Sequence, residues 1–408
     1  MRCRHCGELA DLVLVDLGSS PPSNAFLTEE DLRFSETWFP LRVLVCESCW
    51  LVQTEDVVDT SKLFDDGYAY FSGFSSTWVE HCCRYSEEAI RRFGLVESSR
   101  VVEVASNDGT LLKHFHDSGM NCTGIEPTAS TAAAARELGL EVEEVFLTPS
   151  TADALVAKGV AADLLVANNV LAHVPDLVGF VSGCRRLLAD DGVASFEFPH
   201  LVELVAKTQF DTIYHEHFSY LSLRVVEAVL EAAGLTVFDV ERLPIHGGSL
   251  RVYAQRSDRP THRPVESVGE VRLQEESVGA FTRSFYLGFQ DRADKIKNGL
   301  LRLLIDAAAD GRRVAGYGAA AKGNTLLNYS GIRSDLLPYV VDNNPMKAGK
   351  YLPGSRIPIV SEQVLVDELP DLVLVLPWNL RAEIAERLRG PCGWTGTIAT
   401  AMSGQEDI

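Results

Sequence analysis

The chain has few basic residues for its size. Of its 408 residues, 37 are Lys or Arg and 57 are Asp or Glu, so the formal net charge is −20. Proteins that bind nucleic acid or anionic membranes need a cationic surface, so this balance argues against both classes of partner. A local basic pocket for one phosphorylated substrate is still compatible with the overall charge.

Long apolar runs are also lacking. No stretch approaches the roughly 18–20 apolar residues that a membrane span requires. The N-terminal segment has no secretory pattern, because Glu8, Asp11 and Asp16 interrupt it. With 46% hydrophobic and 23% charged residues, the composition is that of a globular protein, long enough for two or three domains. We therefore expect a cytoplasmic protein with no membrane partner.

The nine cysteines do not resemble a disulfide framework, because their number is odd and the chain is long and lacks a signal pattern. Four of them form two Cys-x2-Cys pairs, Cys3/Cys6 and Cys46/Cys49, and the second pair directly follows an apolar run at 41–45. Four thiolates fill every position of a tetrahedral zinc site. The sequence therefore predicts a structural zinc ion rather than a catalytic one.

Strands alternate with helices through the middle of the chain, which indicates a parallel, doubly wound sheet. After two strands around a turn within 235–254, a charged and mostly helical bridge covers 262–305, and a second α/β pattern starts at Arg313. The predicted strands are 100–104, 122–125, 163–167, 193–198, 314–317, 338–341 and 372–377, and the predicted helices of the middle part are 86–93, 129–138 and 178–189.

A loop of small and polar residues follows the strand at 100–104 and precedes a helix. Small residues there let the backbone approach a ligand closely, and Glu126, at the end of the next strand, can accept hydrogen bonds from ribose hydroxyls. The usual Gly-x-Gly pattern is absent, and a plain structural turn is the alternative. The candidate cofactor residues are Glu103, Ala105, Asn107, Asp108, Gly109 and Glu126.

Polar residues also follow the apolar strand at 163–167. Asn168 and, slightly later, His173 come at its carboxyl end, where open α/β sheets bind their ligands. Asn168 is a further cofactor candidate. His173 is a candidate for the catalytic site, and the alternative is a surface histidine.

Four ionisable or hydrogen-bonding residues, Tyr214, His215, Glu216 and His217, stand in a row. The two histidines lack the four-residue spacing of metal ligands on a helix. If the segment is extended, Tyr214 and Glu216 share one face and the histidines the other. A neutral histidine is a good general base near pH 7, so the cluster indicates proton transfer.

The last α/β unit contains Gly316-x-Gly318 with Asp342 further along, which is half of a nicotinamide fingerprint. Lys322 in the same loop would suit a phosphate instead. The residues leave these two interpretations open.

Five motifs occur in a fixed order: the four cysteines, Glu-Val-Ala-Ser-Asn-Asp-Gly-Thr-Leu-Leu, Tyr-His-Glu-His-Phe, His-Gly-Gly-Ser-Leu-Arg and Gly-Tyr-Gly-Ala-Ala-Ala-Lys-Gly-Asn. Together they resemble the S-adenosylmethionine (SAM)-dependent sugar C-methyltransferases of bacterial deoxysugar and antibiotic biosynthesis, over essentially the whole chain. The resemblance implies an α/β fold with a zinc-binding ribbon-like domain at 1–66, a Rossmann-like SAM methyltransferase domain at 67–260, and a helical bridge with a Rossmann-like nucleotide-sugar domain at 261–408.

The resemblance also implies the chemistry and the partners. Members methylate a carbon, commonly C-3, of a dTDP-linked 4-keto sugar. C-5 methylation and an added NAD(P)H-dependent 4-ketoreduction are the alternatives, and we expect a monomer or a small homo-oligomer. The implied zinc and SAM residues are those named above. The resemblance implies His217 as the base, Tyr214, Glu216, His173 and Tyr68 as its catalytic neighbours, and Tyr70, His215, Lys322, Asn324 and Trp378 as substrate-binding residues.

Overall fold

The computed structural model describes residues 1–55, 57 and 71–402. Tyr68 and Tyr70 lie outside this range. The strands of the N-terminal and central parts are β1 (Leu12–Ser20), β2 (Phe39–Val45), β3 (Val52–Thr54), β4 (Arg100–Val104), β5 (Asn121–Ile125), β6 (Glu141–Glu143), β7 (Ala162–Asn168), β8 (Leu188–Pro199), β9 (Ser219–Tyr220), β10 (Leu235–Leu243) and β11 (Ser249–Arg256). The C-terminal strands are β12 (Val314–Tyr317), β13 (Val340–Val341), β14 (Ile359–Val360), β15 (Leu372–Val375) and β16 (Thr397–Ala399).

The helices are α1 (Ser76–Phe93), α2 (Leu112–Asp117), α3 (Ala129–Glu137), α4 (Pro149–Ala157), α5 (Leu177–Leu187), α6 (Leu201–Ala206), α7 (Leu223–Ala232), α8 (Glu266–Ser277), α9 (Arg283–Tyr286), α10 (Phe289–Ala309), α11 (Ala321–Ser330), α12 (Glu362–Glu368) and α13 (Arg381–Arg389). Short 3-10 turns lie at Asp31–Arg33, Ser72–Phe74, Leu171–His173, Phe210–Thr212, Ile245–Gly247 and Trp378–Leu380. None of these described helices is long and apolar enough to cross a membrane.

The N-terminal sheet is antiparallel, in the order β1-β2-β3-β9. The second cysteine pair lies between β2 and β3, with Val43 opposite Thr54 in the register of these two strands. The fourth strand, β9, belongs to the middle of the chain and places Tyr220 opposite Val52. Since β9 begins two residues after His217, the zinc-binding part and the histidine motif share one sheet.

The central sheet has seven strands in the order β10-β11-β8-β7-β4-β5-β6. The strands from β8 to β6 are parallel, and β11 pairs antiparallel with β8. The chain runs outward from β4 to β5 and β6 and then returns to the other side of β4 with β7. The strand order therefore reverses between β4 and β7, which is where ligands of such sheets bind.

The C-terminal sheet is parallel, in the order β14-β13-β12-β15-β16. Its order reverses between β12 and β15, so the loops that follow these two strands diverge and leave a crevice. One apolar core joins this domain to the rest of the chain, because Leu14, Leu204, Leu304 and Leu326 belong to the same buried cluster. The loops after β12 and β15 are thereby held against the middle of the chain.

The predicted strands all occur, although the predicted strand at 338–341 is shortened to β13. The predicted helix at 86–93 was too short, since it is only the second half of α1. The helix begins ten residues earlier because the Ser75 hydroxyl accepts a hydrogen bond from the Trp78 N–H and caps it. His81, Cys82 and Tyr85 are buried, and the spacing of Cys82, Tyr85 and Ala89 is that of one helix face.

Candidate active site

The loop after β4 has an unusual backbone. Ala105 and Asn107 are left-handed, with φ of 56° and 49°, and Gly109 has φ of 79°. Left-handed backbone in residues other than glycine costs energy and is concentrated at ligand sites. The N–H groups of Ala105 and Ser106 donate to the carbonyl of Ile125, which ties the loop to the end of β5.

Two acidic side chains, those of Glu126 and Glu103, lie next to this loop. The Glu126 carboxylate accepts hydrogen bonds from the N–H groups of Asn107 and Thr128, both at 2.9 Å. Glu103 is buried, and one of its oxygens has no hydrogen-bond partner among the described residues. Burial, followed by the charge of Asp108, raises the pKa of Glu103 well above its ordinary value.

Asn168, at the carboxyl end of β7, lies on the other side of the sheet's switch point. Within the described part of the chain, neither polar atom of its buried amide group has a partner. Buried amides are normally hydrogen-bonded, so this side chain suits a polar ligand. Asn168 and Glu103 therefore each offer an unpaired polar atom near the ends of β7 and β4, and SAM binding by them stays a prediction.

The 3-10 turn Ser72–Phe74, just before α1, contacts the loop after β4. Asp108 accepts hydrogen bonds from the Ser72 hydroxyl, at 2.6 Å, and from the Gly73 N–H, at 2.8 Å. Asn107 accepts from the Ser72 N–H at 3.0 Å. The two predicted cofactor residues therefore also hold the segment Ser72–Phe74 over the site, a role that the sequence pattern did not indicate.

The histidine motif forms a turn rather than an extended segment, because the His217 N–H donates to the Tyr214 carbonyl. The turn brings the Tyr214 hydroxyl to 2.7 Å from Nε2 of His217. Nδ1 of His217 lies 2.8 Å from the Thr212 carbonyl, which can only accept, so Nδ1 carries the proton and Nε2 the lone pair. The two side chains therefore do not lie on opposite faces, as an extended segment would require.

His217 is held in its neutral form. Burial is the main cause that lowers its pKa well below the ordinary value, and His173 and Lys322 lower it further against the opposing effect of the Thr212 carbonyl. The His173 ring is 4.6 Å from the His217 ring, and its Nδ1–H donates to the Glu216 carbonyl at 2.8 Å. Burial lowers the pKa of His173 to about 4.

The side chains of Glu216 and His215, the other two residues of the motif, contact the N-terminal part of the chain. One oxygen of the buried Glu216 carboxylate accepts from the N–H and amide group of Asn24, at 3.3 and 3.1 Å, and burial raises the pKa of Glu216. His215 donates from Nε2 to the Pro40 carbonyl at 3.2 Å and packs edge-on against Phe39. His215 thus contacts β2 of the zinc-binding part.

The C-terminal domain contributes a positively charged side chain, Lys322, near the histidine motif. Lys322, at the start of α11, donates to the Asn379 side chain at 2.9 Å, and its ammonium group lies 5.0 Å from the centre of the Trp378 ring. The indole N–H of Trp378 donates to the Asp211 carboxylate at 2.7 Å. Burial is the main cause that raises the pKa of Asp211 to about 6. The sequence reasoning missed Asp211, although it lies three residues before Tyr214.

Helix α11 also reaches the N-terminal part. The Asn324 amide donates to the Ser23 carbonyl at 2.6 Å, and its oxygen has no partner among the described residues. Thr325 donates to the Ile213 carbonyl at 2.7 Å. Asn324 is therefore near the segment that holds Glu216, since Asn24 follows Ser23.

A second buried group of charges was also missed. Glu197, at the end of β8, binds His81 of α1 at 2.9 Å and Arg251 of β11 at 2.5 Å. The neighbouring Trp78 ring is 5.6 Å from His246, a left-handed residue whose pKa burial lowers to about 4. The His-Gly-Gly-Ser-Leu-Arg motif was the available signal, since it contains both His246 and Arg251.

Asp342 is bound within its own domain. One oxygen accepts from the Ala319 N–H at 2.7 Å and the other from the Asn344 N–H at 2.8 Å, while Lys347 lies 3.6 Å away. These contacts tie the loop after β12 to the end of β13. Nicotinamide binding by this loop stays a prediction, which titration of NADPH fluorescence tests.

The four predicted zinc ligands come together in the N-terminal part. The sulfur atoms of Cys3, Cys6, Cys46 and Cys49 all lie within 4.8 Å of one another. The Cys3–Cys49 and Cys6–Cys46 sulfur atoms are each 3.5 Å apart. Four thiolates at these separations fit one tetrahedral zinc ion and leave no position for a substrate, so the ion is structural.

Sequence profiles of three methyltransferase domain families match the chain in succession. A zinc-binding domain matches residues 3–64, a methyltransferase domain residues 77–240, and a C-methyltransferase C-terminal domain residues 244–402. The three matches place the cysteine cluster, the loop after β4 and Lys322 in different domains of one architecture.

Known proteins with similar sequences are also methyltransferases. C-methyltransferase NovU from Streptomyces niveus is 36% identical over 384 residues, which are 94% of this chain and 91% of the relative. A ubiquinone biosynthesis O-methyltransferase from Rhodopseudomonas palustris is 26% identical over 114 residues, 27% of this chain and 44% of the relative. The magnesium protoporphyrin IX methyltransferase of Synechocystis, solved with S-adenosylhomocysteine, covers 44% of this chain and 85% of its own, with 14% identity and a TM-score of 0.37.

Proposed function

The chain belongs to the family of SAM-dependent C-methyltransferases with a zinc-binding domain, and on this premise we propose that it methylates a carbon beside the ketone of a dTDP-linked 4-keto-deoxysugar. The observation that carries the proposal is His217, whose Nε2 accepts a hydrogen bond from Tyr214 and whose pKa is lowered by burial and by the charges of His173 and Lys322. When bound, SAM supplies an electrophilic methyl group, and the protein must turn a carbon of the sugar into a nucleophile.

His217 is suited to remove a proton from carbon. Its Nδ1–H donates to the Thr212 carbonyl, so Nε2 is the basic atom, and the lowered pKa keeps it unprotonated at neutral pH. A C–H bond beside a ketone is acidic enough for an imidazole to break if the enolate is stabilised. The proton goes to Nε2 and the electron pair of the C–H bond moves into the enolate.

Tyr214 and Lys322 are suited to stabilise the enolate. The Tyr214 hydroxyl donates to Nε2 in this structure, and it loses that acceptor when Nε2 takes the proton. The enolate oxygen can then accept the same hydrogen bond. The ammonium group of Lys322 adds a positive charge in a half-buried place, where charges act more strongly than in water.

The remaining predicted residues belong to the cofactor side and the sugar side of the site. Glu103, Glu126 and Asn168 would hold SAM, with the loop from Ala105 to Gly109 forming the backbone of its pocket. On the side of the sugar, we propose that Trp378 and Asn324 contact the nucleotide portion. C-3 is the proposed position of methylation, by resemblance to the family, and C-5 is the alternative outcome.

Proton NMR of a dTDP-4-keto-2,6-dideoxyhexose in deuterated buffer tests the proposal directly. We expect the C-3 proton signal to disappear with the enzyme alone, followed by a new methyl singlet once SAM is added. A new methyl singlet on C-5 would mean that C-5, rather than C-3, is the methylated carbon. SAM binding without either exchange or a carbon-bound methyl group would overturn the proposed substrate.

The role of the base is tested by His217→Asn, which keeps a polar side chain but lacks the basic nitrogen. We expect this variant to bind SAM as the unaltered protein does and to lose solvent exchange. His116→Asn, on the exposed end of α2, is the matched control and should retain both. Exchange at the unaltered rate in His217→Asn would exclude His217 as the base.

A further inference from the structure

The loop that carries the first two zinc ligands also contacts the histidine motif. Arg4 lies between Cys3 and Cys6, and its guanidinium group donates to the carbonyls of Phe218 and Thr54, both at 2.6 Å. Phe218 directly follows His217. The guanidinium carbon is 5.3 Å from the centre of the Phe218 ring, and the Arg4 N–H donates to the Gln53 side chain at 3.0 Å.

The Phe218 carbonyl and Thr54 also belong to a hydrogen-bond network around His217. The Thr54 hydroxyl donates to the His217 carbonyl at 3.1 Å, and the Thr54 N–H donates to the Phe218 carbonyl at 3.2 Å. The Phe218 N–H donates to the Ala172 carbonyl at 2.7 Å, one residue before His173. The backbone of His217 and Phe218 is therefore bound to Thr54 of β3, and Phe218 in turn is bound to the residue before His173.

We propose that Arg4 is a positioning residue that couples the zinc-bound loop to His217, so that the zinc ion sets the placement of the catalytic base. This inference rests on the proposed role of His217. Arg4 acts through Phe218 and Thr54, whose carbonyls accept its hydrogen bonds.

The geometry suits this role for two reasons. A guanidinium group is a planar fork that can donate to two carbonyls at once, whereas a lysine ammonium is a single point charge on a flexible chain. Zinc binding by Cys3 and Cys6 fixes the backbone on both sides of Arg4, so the fork has a rigid base. Without the metal, Cys3 and Cys6 no longer fix the backbone on either side of Arg4.

The test compares three variants. Arg4→Met keeps most of the apolar stem but removes every donor, and Arg4→Lys restores one charged donor. Arg2→Met is the matched control, because Arg2 is exposed on the same loop and its guanidinium donates to the Gly7 carbonyl. Each protein is assayed for zinc content, SAM affinity, KM for the sugar and the rate of deuterium exchange at the substrate carbon.

We expect Arg4→Met to retain zinc and SAM binding, to keep its KM, and to exchange about 10²-fold more slowly, the loss typical of a misplacement of about 1 Å. Arg4→Lys should recover part of the rate, and Arg2→Met should match the unaltered protein. An unaltered exchange rate in Arg4→Met, or equal losses in Arg4→Met and Arg2→Met, would overturn the proposal.

A readout without substrate separates this inference from the proposed function. In protein with nitrogen-15-labelled histidine, the His217 ring signals, assigned by their loss in His217→Asn, report its tautomer and its pKa. In Arg4→Met we expect the His217 pKa to rise toward its ordinary value and the fixed Nδ1–H tautomer to be lost, and chelation of zinc should do the same. His217 signals unchanged by both treatments would overturn the coupling, whichever sugar the enzyme uses.

Discussion

The hydroxyl of Tyr214 lies 2.7 Å from Nε2 of His217, on the inner side of a turn that the backbone of the same two residues closes. Nδ1 of His217 is bound to the Thr212 carbonyl, so the Tyr214 hydroxyl must be the donor in this pair. The base therefore has one defined tautomer. Its hydrogen-bond donor, the Tyr214 hydroxyl, becomes available to the substrate once Nε2 is protonated.

Tyr214→Phe removes this partner and keeps the ring. Because the enolate loses a donor in a site with little water, we expect methyl transfer to fall about 10²-fold with SAM affinity unchanged. Single-turnover measurement of methyl transfer checks it. Tyr339→Phe, in the C-terminal domain beside a surface pocket, is the control and should be unaffected. A Tyr214→Phe enzyme as fast as the unaltered one would show that the hydroxyl does not act in the reaction.

Lys322→Met tests the electrostatics of the base. The positive charge of Lys322 lowers the pKa of His217, so its removal raises that pKa. A larger fraction of His217 is then protonated at a given acidic pH, and the acid limb of the exchange rate moves to higher pH. The pH profile of deuterium exchange measures this shift, with the exposed Lys295→Met as control. A shift to lower pH would contradict the assignment.

Asn168→Ala tests the cofactor side of the site. The buried amide atoms lack partners within the described residues, so we expect them to bind SAM, and their loss should weaken SAM about tenfold. Isothermal titration calorimetry measures the affinity. Asn121→Ala, exposed at the amino end of β5, lies at the opposite edge of the sheet and should bind SAM normally. Equal affinity in both variants would remove Asn168 from the SAM site.

Cys46→Ser tests the structural metal. With one thiolate missing, we expect zinc to be lost and the sheet β1-β2-β3-β9 to unfold at lower temperature, since structural zinc contributes directly to folding. Metal analysis and thermal unfolding followed by circular dichroism measure both effects. Cys83→Ser, on α1 and outside the cysteine cluster, is the control. Full zinc content and an unchanged melting temperature in Cys46→Ser would contradict the ligand assignment.

The zinc ligands and the ends of the parallel strands could be predicted from the sequence, because both depend on local spacing. A Cys-x2-Cys pair forms its own knuckle, and polar residues after an apolar strand come to the ligand-binding edge of a parallel sheet. The structure brings Cys3 and Cys46 into one cluster and puts Asn168 at that edge. The first half of α1 was missed although Cys82, Tyr85 and Ala89 have helical spacing, whereas the contact of its buried His81 with Glu197 depends on the packing of α1 against β8 and has no local signal.

By itself, the sequence determined which residue types are available: four thiolates, a polar loop after β4 and a histidine beside a tyrosine. Only the tertiary structure decided which of them meet. Tyr214 and His217 face each other because the segment turns, and Lys322 and Trp378 meet because they follow β12 and β15, which are neighbouring parallel strands. Arg4 reaches Phe218 because β9 joins the N-terminal sheet. The contacts of Lys322 with Trp378 and of Arg4 with Phe218 join residues far apart in the chain, and no local pattern encodes such pairings.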